Sequence, residues 1–280
     1  MKTQKKNIML VVLLFIFFTM FRFSNLIHSS VIESVDLFVT NLVPSMFPMF
    51  LMIDLLLNYG FAEKLYNVFK NNSIILVLLS LLSGTPSNAK YIKEFYEDGY
   101  ISKDMANLLL SFSYSPNPLF VMAFFSTLKP ALFLLSYIYI TNLIIFVIMK
   151  PRFKNLRSSP KEYKSLPFIT CLTNSINKSA HVLILILGVV VTFGILNSII
   201  RIFNPSSIFI YSILEISNAF KMITETQAGI FWMTFAASFG GLSIHAQIKS
   251  ILESTDLSYR YFLMGRILAS IPILIMAFIF

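Results

Sequence analysis

Four short stretches of the sequence set glycine, proline and small polar side chains into long or half-length apolar runs. They are Pro44-Ser-Met-Phe-Pro48, Gly84-Thr-Pro-Ser-Asn88, Ser113-Tyr-Ser-Pro-Asn-Pro118 and Gly240-Gly-Leu-Ser-Ile-His245. Proline removes a backbone donor and kinks or ends a helix. A helix that stops inside a bilayer leaves N–H or C=O groups unpaired, with about half an elementary charge of dipole at its end. Hydrocarbon offers such groups no partner, whereas a bound solute or ion does. Secondary transporters place their sites at discontinuities of this kind, near the midplane and between inverted repeats. The side chains concerned are Ser45, Thr85, Ser87, Asn88, Ser113, Ser115, Asn117, Ser243, His245 and Gln247. They donate and accept hydrogen bonds with little fixed charge, and Lys90 adds one cation. A polar organic solute or a small organic anion suits that inventory. A bare divalent metal would want clustered carboxylates or histidines.

Two acids stand in apolar surroundings: Asp54 in Met52-Ile-Asp-Leu-Leu56 and Glu215 in Leu214-Glu-Ile-Ser-Asn218. An ionisable residue within a span marks a functional site by default, so both are candidates for coupling transport to H+ or Na+. Asp54 has a second reading, at the inner end of a tilted helix reaching the headgroups. Arg266 is expected to pair with an acid or to snorkel. No His-Glu-x-x-His, Gly-x-Ser-x-Gly or Walker loop is present, so neither an enzyme nor a cofactor is expected. The three histidines (His28, His181, His245) are scattered, and Cys171 has no evident His partner.

The surroundings of these residues fix the class. Of 280 residues, 56% are hydrophobic and 12% charged, against about 45–50% and 25% in soluble domains. Mean hydropathy is +0.77. Disorder, a disulfide mini-domain and most soluble enzymes are excluded, and an all-α polytopic membrane protein is expected. Net charge is +9. Lys2, Lys5 and Lys6 form one basic cluster. Lys150, Arg152, Lys154, Arg157, Lys161 and Lys164, against Glu162, form the other. Basic segments beside apolar spans place themselves inside. Neither carries the aromatic or glycine interleaving of a nucleic-acid surface, so no nucleic acid is expected.

Asn7 to Ile27 reads as a first span with its N-terminus inside, an uncleaved anchor, because Arg22-Phe-Ser-Asn25 is no small-x-small cleavage site. Val31 to Tyr59 reads as a span bent or broken at Pro44 and Pro48. Ser73 to Leu82, about 15 Å of helix, reads with Ser83-Gly-Thr-Pro-Ser-Asn-Ala-Lys90 as a re-entrant hairpin. Asn107 to Leu128 is interrupted at 113–118, and Pro130 to Met149 is unbroken. In the second half, an amphipathic run from Thr170 to Ala180 precedes the span His181 to Ile200. Short apolar pieces, Ile208 to Ile216 and Gly229 to Phe239, follow. The second ends in a hairpin-like Gly240-Gly-Leu-Ser-Ile-His-Ala-Gln247, and Phe262 to Phe280 closes the chain. Tracing these spans makes the halves inverted. A shift of 157 residues lays Gly84 on Gly241, Asn88 on His245, Ala89 on Ala246 and Lys90 on Gln247.

Leu42-Val-Pro-Ser-Met-Phe-Pro48, Ser83-Gly-Thr-Pro-Ser-Asn-Ala-Lys90, Leu109-Leu-Ser-Phe-Ser-Tyr-Ser-Pro-Asn-Pro-Leu-Phe120 and Phe239-Gly-Gly-Leu-Ser-Ile-His-Ala-Gln247 together resemble the sporulation integral membrane protein YlbJ family (SpoVV), which carries the nucleoside-recognition Gate domain. The resemblance covers most of residues 31–280. It implies a fold with inverted repeats, re-entrant hairpins and broken helices, related to concentrative nucleoside transporters, and a role in moving dipicolinic acid across the outer forespore membrane. Carried over by residue, it favours Ser45, Thr85, Ser87, Asn88, Lys90, Asn117, Ser243, His245 and Gln247 as lining positions; Asn88 stands where the family has Gly. The expected organisation is an N-terminal anchor (1–30), a first Gate-like repeat (31–149), a basic cytoplasmic loop (150–168) and a second Gate-like repeat (169–280). The expected function is alternating-access transport of a small polar or anionic, dipicolinate-like solute, linked to spore formation. The membrane would be the cytoplasmic or forespore membrane of a bacterium. The expected partners are that solute, H+ or Na+, and the lipid bilayer, with assembly as a homo-oligomer left open. The alternative is a non-transporting membrane scaffold or signalling subunit on the same fold.

Overall fold

The computed structural model describes residues 2–125, 127–152, 167–204 and 207–279. The helices are α1 (Lys2–Arg22), α2 (Ser24–Leu37), α3 (Val43–Asn58), α4 (Phe61–Phe69), α5 (Asn72–Ser83), α6 (Ser87–Glu97), α7 (Lys103–Phe112), α8 (Pro118–Ala123), α9 (Leu128–Met149), α10 (Phe168–Phe203), α11 (Ile208–Leu214), α12 (Ile216–Thr226), α13 (Ile230–Phe239), α14 (Gly241–Leu252) and α15 (Tyr259–Ile279). Four helical stretches among the described residues are long and apolar enough to cross a bilayer: Ser24–Asn58, Leu128–Met149, Phe168–Phe203 and Tyr259–Ile279. The protein is an all-α polytopic membrane protein. Helix α9 shows why. Leu134, Ile138, Asn142, Ile145 and Met149 form a buried stripe at helical spacing, while Ile140, Leu143 and Val147 on the other side are exposed and equally apolar. A helix greasy on both faces needs protein on one and lipid on the other.

Three expectations change. Of the bent or broken span expected at Pro44 and Pro48, the break is absent: helix runs on through both prolines. A π-helical segment, Phe38–Leu42, joins α2 to α3 and absorbs the wider turn, and the Ser45 hydroxyl bonds back to Asn41 O at 2.7 Å. The boundary between the first two helices falls at Phe23, earlier than the 27–31 expected. Thr170–Ala180 is no separate amphipathic helix but the first part of the 36-residue α10; Ser175 and Ser179 bury their small hydroxyls against neighbours, so its polar residues do not end the helix.

The fourth correction concerns the hairpins. Helix α5 folds back on α6, as expected, and α11 folds back on α12. Helices α13 and α14 do not fold back on each other, and neither do α7 and α8. Gly240-Gly241 is therefore a break inside a passing helix, with both residues at positive φ (87° and 67°). The second hairpin is α11–α12, with Glu215 at its tip. Glycines in sequence marked a discontinuity, but glycine alone does not set whether the chain reverses.

Packing gives the helix directions. Asn58 Nδ2 donates to Ser175 Oγ (3.2 Å), while a Cβ on Gly194 would strike the Ser34 hydroxyl, so α2–α3 runs antiparallel to α10. Tyr137 OH donates to Ala269 O (2.8 Å) and Arg266 Nη2 to Asn142 Oδ1 (2.9 Å), so α9 and α15 are antiparallel. Helices α7 and α15 run side by side in the same sense: Ser258 N donates to Asn107 Oδ1 (3.0 Å), and Gly265 meets the Ser111 carbonyl. Small residues at such crossings let backbones touch.

At the end of the bundle carrying Met149 and Phe168, the loop after α14 is tied to the first hairpin. Lys103 Nζ and Tyr96 OH donate to Asp256 at 2.8 and 2.7 Å, and Lys93 Nζ to Ser254 Oγ at 2.7 Å. Lys103, then Tyr96, hold the Asp256 carboxyl below its ordinary value of 3.8. A depressed carboxylate pKa stabilises the fold above the unfolded value, and that contribution is lost as pH falls through the folded one. Asp256→Asn is therefore expected to lower Tm slightly at pH 7, with the difference from the parent shrinking once pH falls below the ordinary carboxylate value. Paired thermal melts across pH check this.

Candidate functional site

The first hairpin tip is stitched to the first helix break. Gly84 (φ 73°) lies so close to the Asn117 main chain that no Cβ fits. Thr85 N donates to Ser115 O (2.7 Å), and Asn88 Nδ2 donates to Ser113 O (3.1 Å). Asn117 accepts from Leu119 N and Phe120 N with Oδ1 (2.8 and 3.2 Å) and donates to Ser83 O (3.4 Å). The second tip touches the second break in the same manner: a Cβ on Gly241 would stand 3.1 Å from Glu215 Cα. Glu215 caps α12, its Oε2 accepting from Asn218 N at 2.8 Å.

The free carbonyl end of α13 is closed by side chains. Tyr114 OH donates to Ala237 O (2.6 Å) and Arg266 Nη1 to Ser238 O (3.1 Å). His245 Nε2 lies 3.0 Å from Phe239 O and Nδ1 2.7 Å from Tyr259 OH. A carbonyl only accepts, so Nε2–H is the donor and in the neutral ring Nδ1 accepts the tyrosine hydroxyl. The Arg266 guanidinium sits over the Tyr114 ring at 4.2 Å. Arg266, fully buried, thus pairs with a carbonyl, an amide and an aromatic face and, among the described residues, with no acid, and it does not sit at the interface as expected. Asn142 joins the set by donating to Tyr114 O.

Between the tips and breaks lies a small, mostly apolar cavity of about 30 Å³, whose lining includes Thr85, Pro86, Asn117, Glu215, Ser217, Ser243 and Gln247. Of the residues expected to bind, Thr85, Asn117, Ser243, Gln247 and Glu215 meet there. Thr85 Oγ1 and Gln247 Oε1 are buried without a hydrogen-bond partner. Ser87 and Lys90 instead line a second space of about 440 Å³ with Asn177, Lys178 and His181, which shares Pro86 with the first. Asn88 and His245 are engaged with main-chain carbonyls, and Ser115 Oγ with Pro116 O (3.0 Å). Ser45 bonds its own helix. Asp54 lies apart, accepting from Ser175 Oγ (2.8 Å) and facing Lys178 (3.4 Å).

Toward the other end, Ser30, Glu33, Asn197, Arg201, Asn218 and Lys221 surround a polar space of about 60 Å³. Asn197 and Asn218 went unnoticed as a pair in the sequence. The available signal was Ser217-Asn-Ala219, a repeat of Ser87-Asn-Ala89.

Fold and site together define a helical membrane protein in which two hairpin tips and two interrupted helices meet at mid-bundle. No family model matches the chain, and no solved structure does. The chain is similar to the sporulation integral membrane protein YlbJ of Bacillus subtilis (strain 168), with 22% identity over 81% of this chain and 71% of that protein.

Proposed function

We propose that the chain is a membrane transporter, not an enzyme, and that it moves a small polar or anionic organic solute by alternating access. One observation carries this: two tips and two breaks surround one small cavity, and a lysine stands to either side of it, Lys90 beside a space of about 440 Å³ and Lys221 beside one of about 60 Å³. The two hairpins are alike in sequence: Ser87-Asn-Ala89 opens α6, with Lys90 directly after it, and Ser217-Asn-Ala219 lies in the first turn of α12, with Lys221 two residues after it.

Inverted repeats produce such a pair. We pair α2–α3 with α10, α5–α6 with α11–α12, α7–α8 with α13–α14, and α9 with α15; only α1 and α4 stand outside. The Ser-Asn-Ala strings then match at an offset of 130, and Ser111-Phe112 with Ser238-Phe239 at 127. These replace the offset of 157, which lays a hairpin tip on a helix break. Direction agrees. Helices α2–α3 and α9 run antiparallel to their partners, and so does α7, because α13 is antiparallel to the α15 that α7 follows (Trp232 meets Phe278, Ser238 meets Arg266).

The resemblance to YlbJ favours a dipicolinate-like dicarboxylate and a setting in spore formation, in a bacterial cytoplasmic or forespore membrane with the N-terminus and the basic loop inside. Residues 153–166 of that loop lie outside the described residues. Lys90 and Lys178, paired with Glu94 at 3.9 Å and Asp54 at 3.4 Å, offer an arriving dicarboxylate two cations to compete for. A 30 Å³ cavity holds about one or two waters, so the described state is closed and passage requires the tips to part. Proteoliposomes are expected to accumulate labelled dipicolinate above empty vesicles, with nucleosides and monocarboxylates as comparisons. Folded protein that moves none of them would favour the scaffold or signalling alternative.

A further inference from the structure

A groove of about 600 Å³, larger than the spaces around the tips, opens on the side of the bundle. Helix α7 is its floor, and α5 and α9, which flank α7, are its walls. Its apolar lining follows helical spacing: Ile74, Leu78 and Leu81 on α5, Leu108 on α7, and Leu143 and Phe146 on α9. Leu108 is buried, whereas Ile74 and Leu143 are 40% and 63% exposed and form the rims. From Asn71 to Leu81, and from Tyr139 to Lys150, each wall rises about 15 Å. That is one leaflet, half of a hydrocarbon core of about 30 Å. The polar groups of the lining stand at the two ends. At the deep end, Asn142 is committed to Tyr114 O and Arg266. At the other end stand Lys150 and Ser73. The Lys150 ammonium lies 5.3 Å from the centre of the Phe146 ring. Among the described residues it meets no acid within salt-bridge distance. Ser73, 9% exposed, has a buried hydroxyl without a hydrogen-bond partner.

We infer that this groove is a binding site for an anionic phospholipid. One acyl chain lies between α5 and α9 over α7, the phosphate meets Lys150, and the Ser73 hydroxyl donates to a headgroup or ester oxygen. Charge favours this occupant. Lys150 opens a stretch of sequence, 150–164, with six Lys and Arg against one acid, and basic clusters beside a span gather anionic headgroups. Height favours it too, because the groove is one leaflet deep and has its cation at one end. A lipid tail gains little by leaving other tails for an apolar wall. The groove therefore sets where the chain lies, and the lysine sets which headgroup is held. The far end of the chain meets Ser113 and Asn142, which hold Asn88 and the Tyr114 main chain, so the lipid braces the first helix break from behind. The inference needs only that the protein is a membrane protein and stands apart from the transport reading.

Native mass spectrometry of the full-length protein in detergent tests it, with equimolar phosphatidylglycerol and phosphatidylcholine of identical acyl chains. The first lipid adduct is expected to favour phosphatidylglycerol about fivefold, the worth of one cation beside an anionic headgroup. Lys150→Gln should bring the two lipids to parity. Leu78→Trp, which fills the groove and keeps the lysine, should remove the adduct of both. Leu143→Trp, on the exposed rim, serves the same purpose where Leu78→Trp does not fold, and circular dichroism reports the folding of each. A preference that survives Lys150→Gln would assign the headgroup to other basic residues and overturn the proposal. Unaltered adducts in a folded Trp variant would place the chain outside the groove and overturn it as well. A lipid-free dimer that the Trp variants split would mean that a second copy of the chain covers this face, which is the third way for the proposal to fail.

Discussion

Gly265→Ala is expected to remove most folded protein from the membrane, although it adds a single methyl group to a helix. At Gly265, α15 crosses α7 with its backbone against the Ser111 carbonyl, and a Cβ would overlap that oxygen and its carbon. The obstacle is main chain, so no rotamer change can relieve it. The helices would have to separate, and the consequences run through the site. Arg266 follows directly and holds the end of α13 through Ser238 O. Tyr114, two residues beyond Phe112, reaches across to Ala237 O. Overpacking at such a point costs about 3 kcal/mol, a large part of a membrane protein's margin. The control is Gly188→Ala on α10, where nothing lies within 4 Å. That change should be neutral or stabilising by up to about 1 kcal/mol, as helix propensity dictates. Membrane abundance and thermal melts of the two variants decide the matter. Equal behaviour would mean that α7 and α15 do not cross at this glycine.

How much of this was legible beforehand differs by feature. The short run ending at Ser83-Gly84 identified the first hairpin, because half a span followed by Gly-Thr-Pro has few other uses. The interruption at Ser113–Pro118 was equally plain. Pro44 and Pro48 left bend and break undecided, since a proline states that one hydrogen bond is missing and not how the helix accommodates it; a π-helical turn kept this helix whole. The second hairpin was obscure for a related reason. Its tip, Leu214-Glu-Ile-Ser, contains no glycine or proline, and Glu215 makes the turn by capping the next helix with its own carboxylate. The Gly240-Gly pair drew attention away from it. Sequence showed which residues were polar at depth, but not which of their atoms were already engaged. Asn88 and His245 looked like ligands because a membrane should not hold idle amides and imidazoles. They are not idle: each donates to a carbonyl left free where a helix stops.

That distinction yields the other large effect. Thr85→Val and Gln247→Leu are expected to cut solute accumulation at least tenfold, about 1.4 kcal/mol of transition-state binding, while leaving Tm unchanged or slightly raised. Both side chains present buried oxygens without partners. An unsatisfied buried polar atom costs roughly 1–3 kcal/mol in the closed state, and an apolar replacement of similar shape removes that cost. A protein retains such atoms when a ligand satisfies them at another stage of its cycle. Asn88→Ala and His245→Ala should behave in the opposite way. Each strands a carbonyl, Ser113 O or Phe239 O, so stability should fall by about 1–3 kcal/mol and activity should fall with abundance. Normalising uptake to folded protein separates the two pairs: the first keeps its deficit and the second loses much of it. If all four variants divide alike, the small cavity is only a packing defect, and the broken helices owe their polar residues to the need to end a helix in lipid.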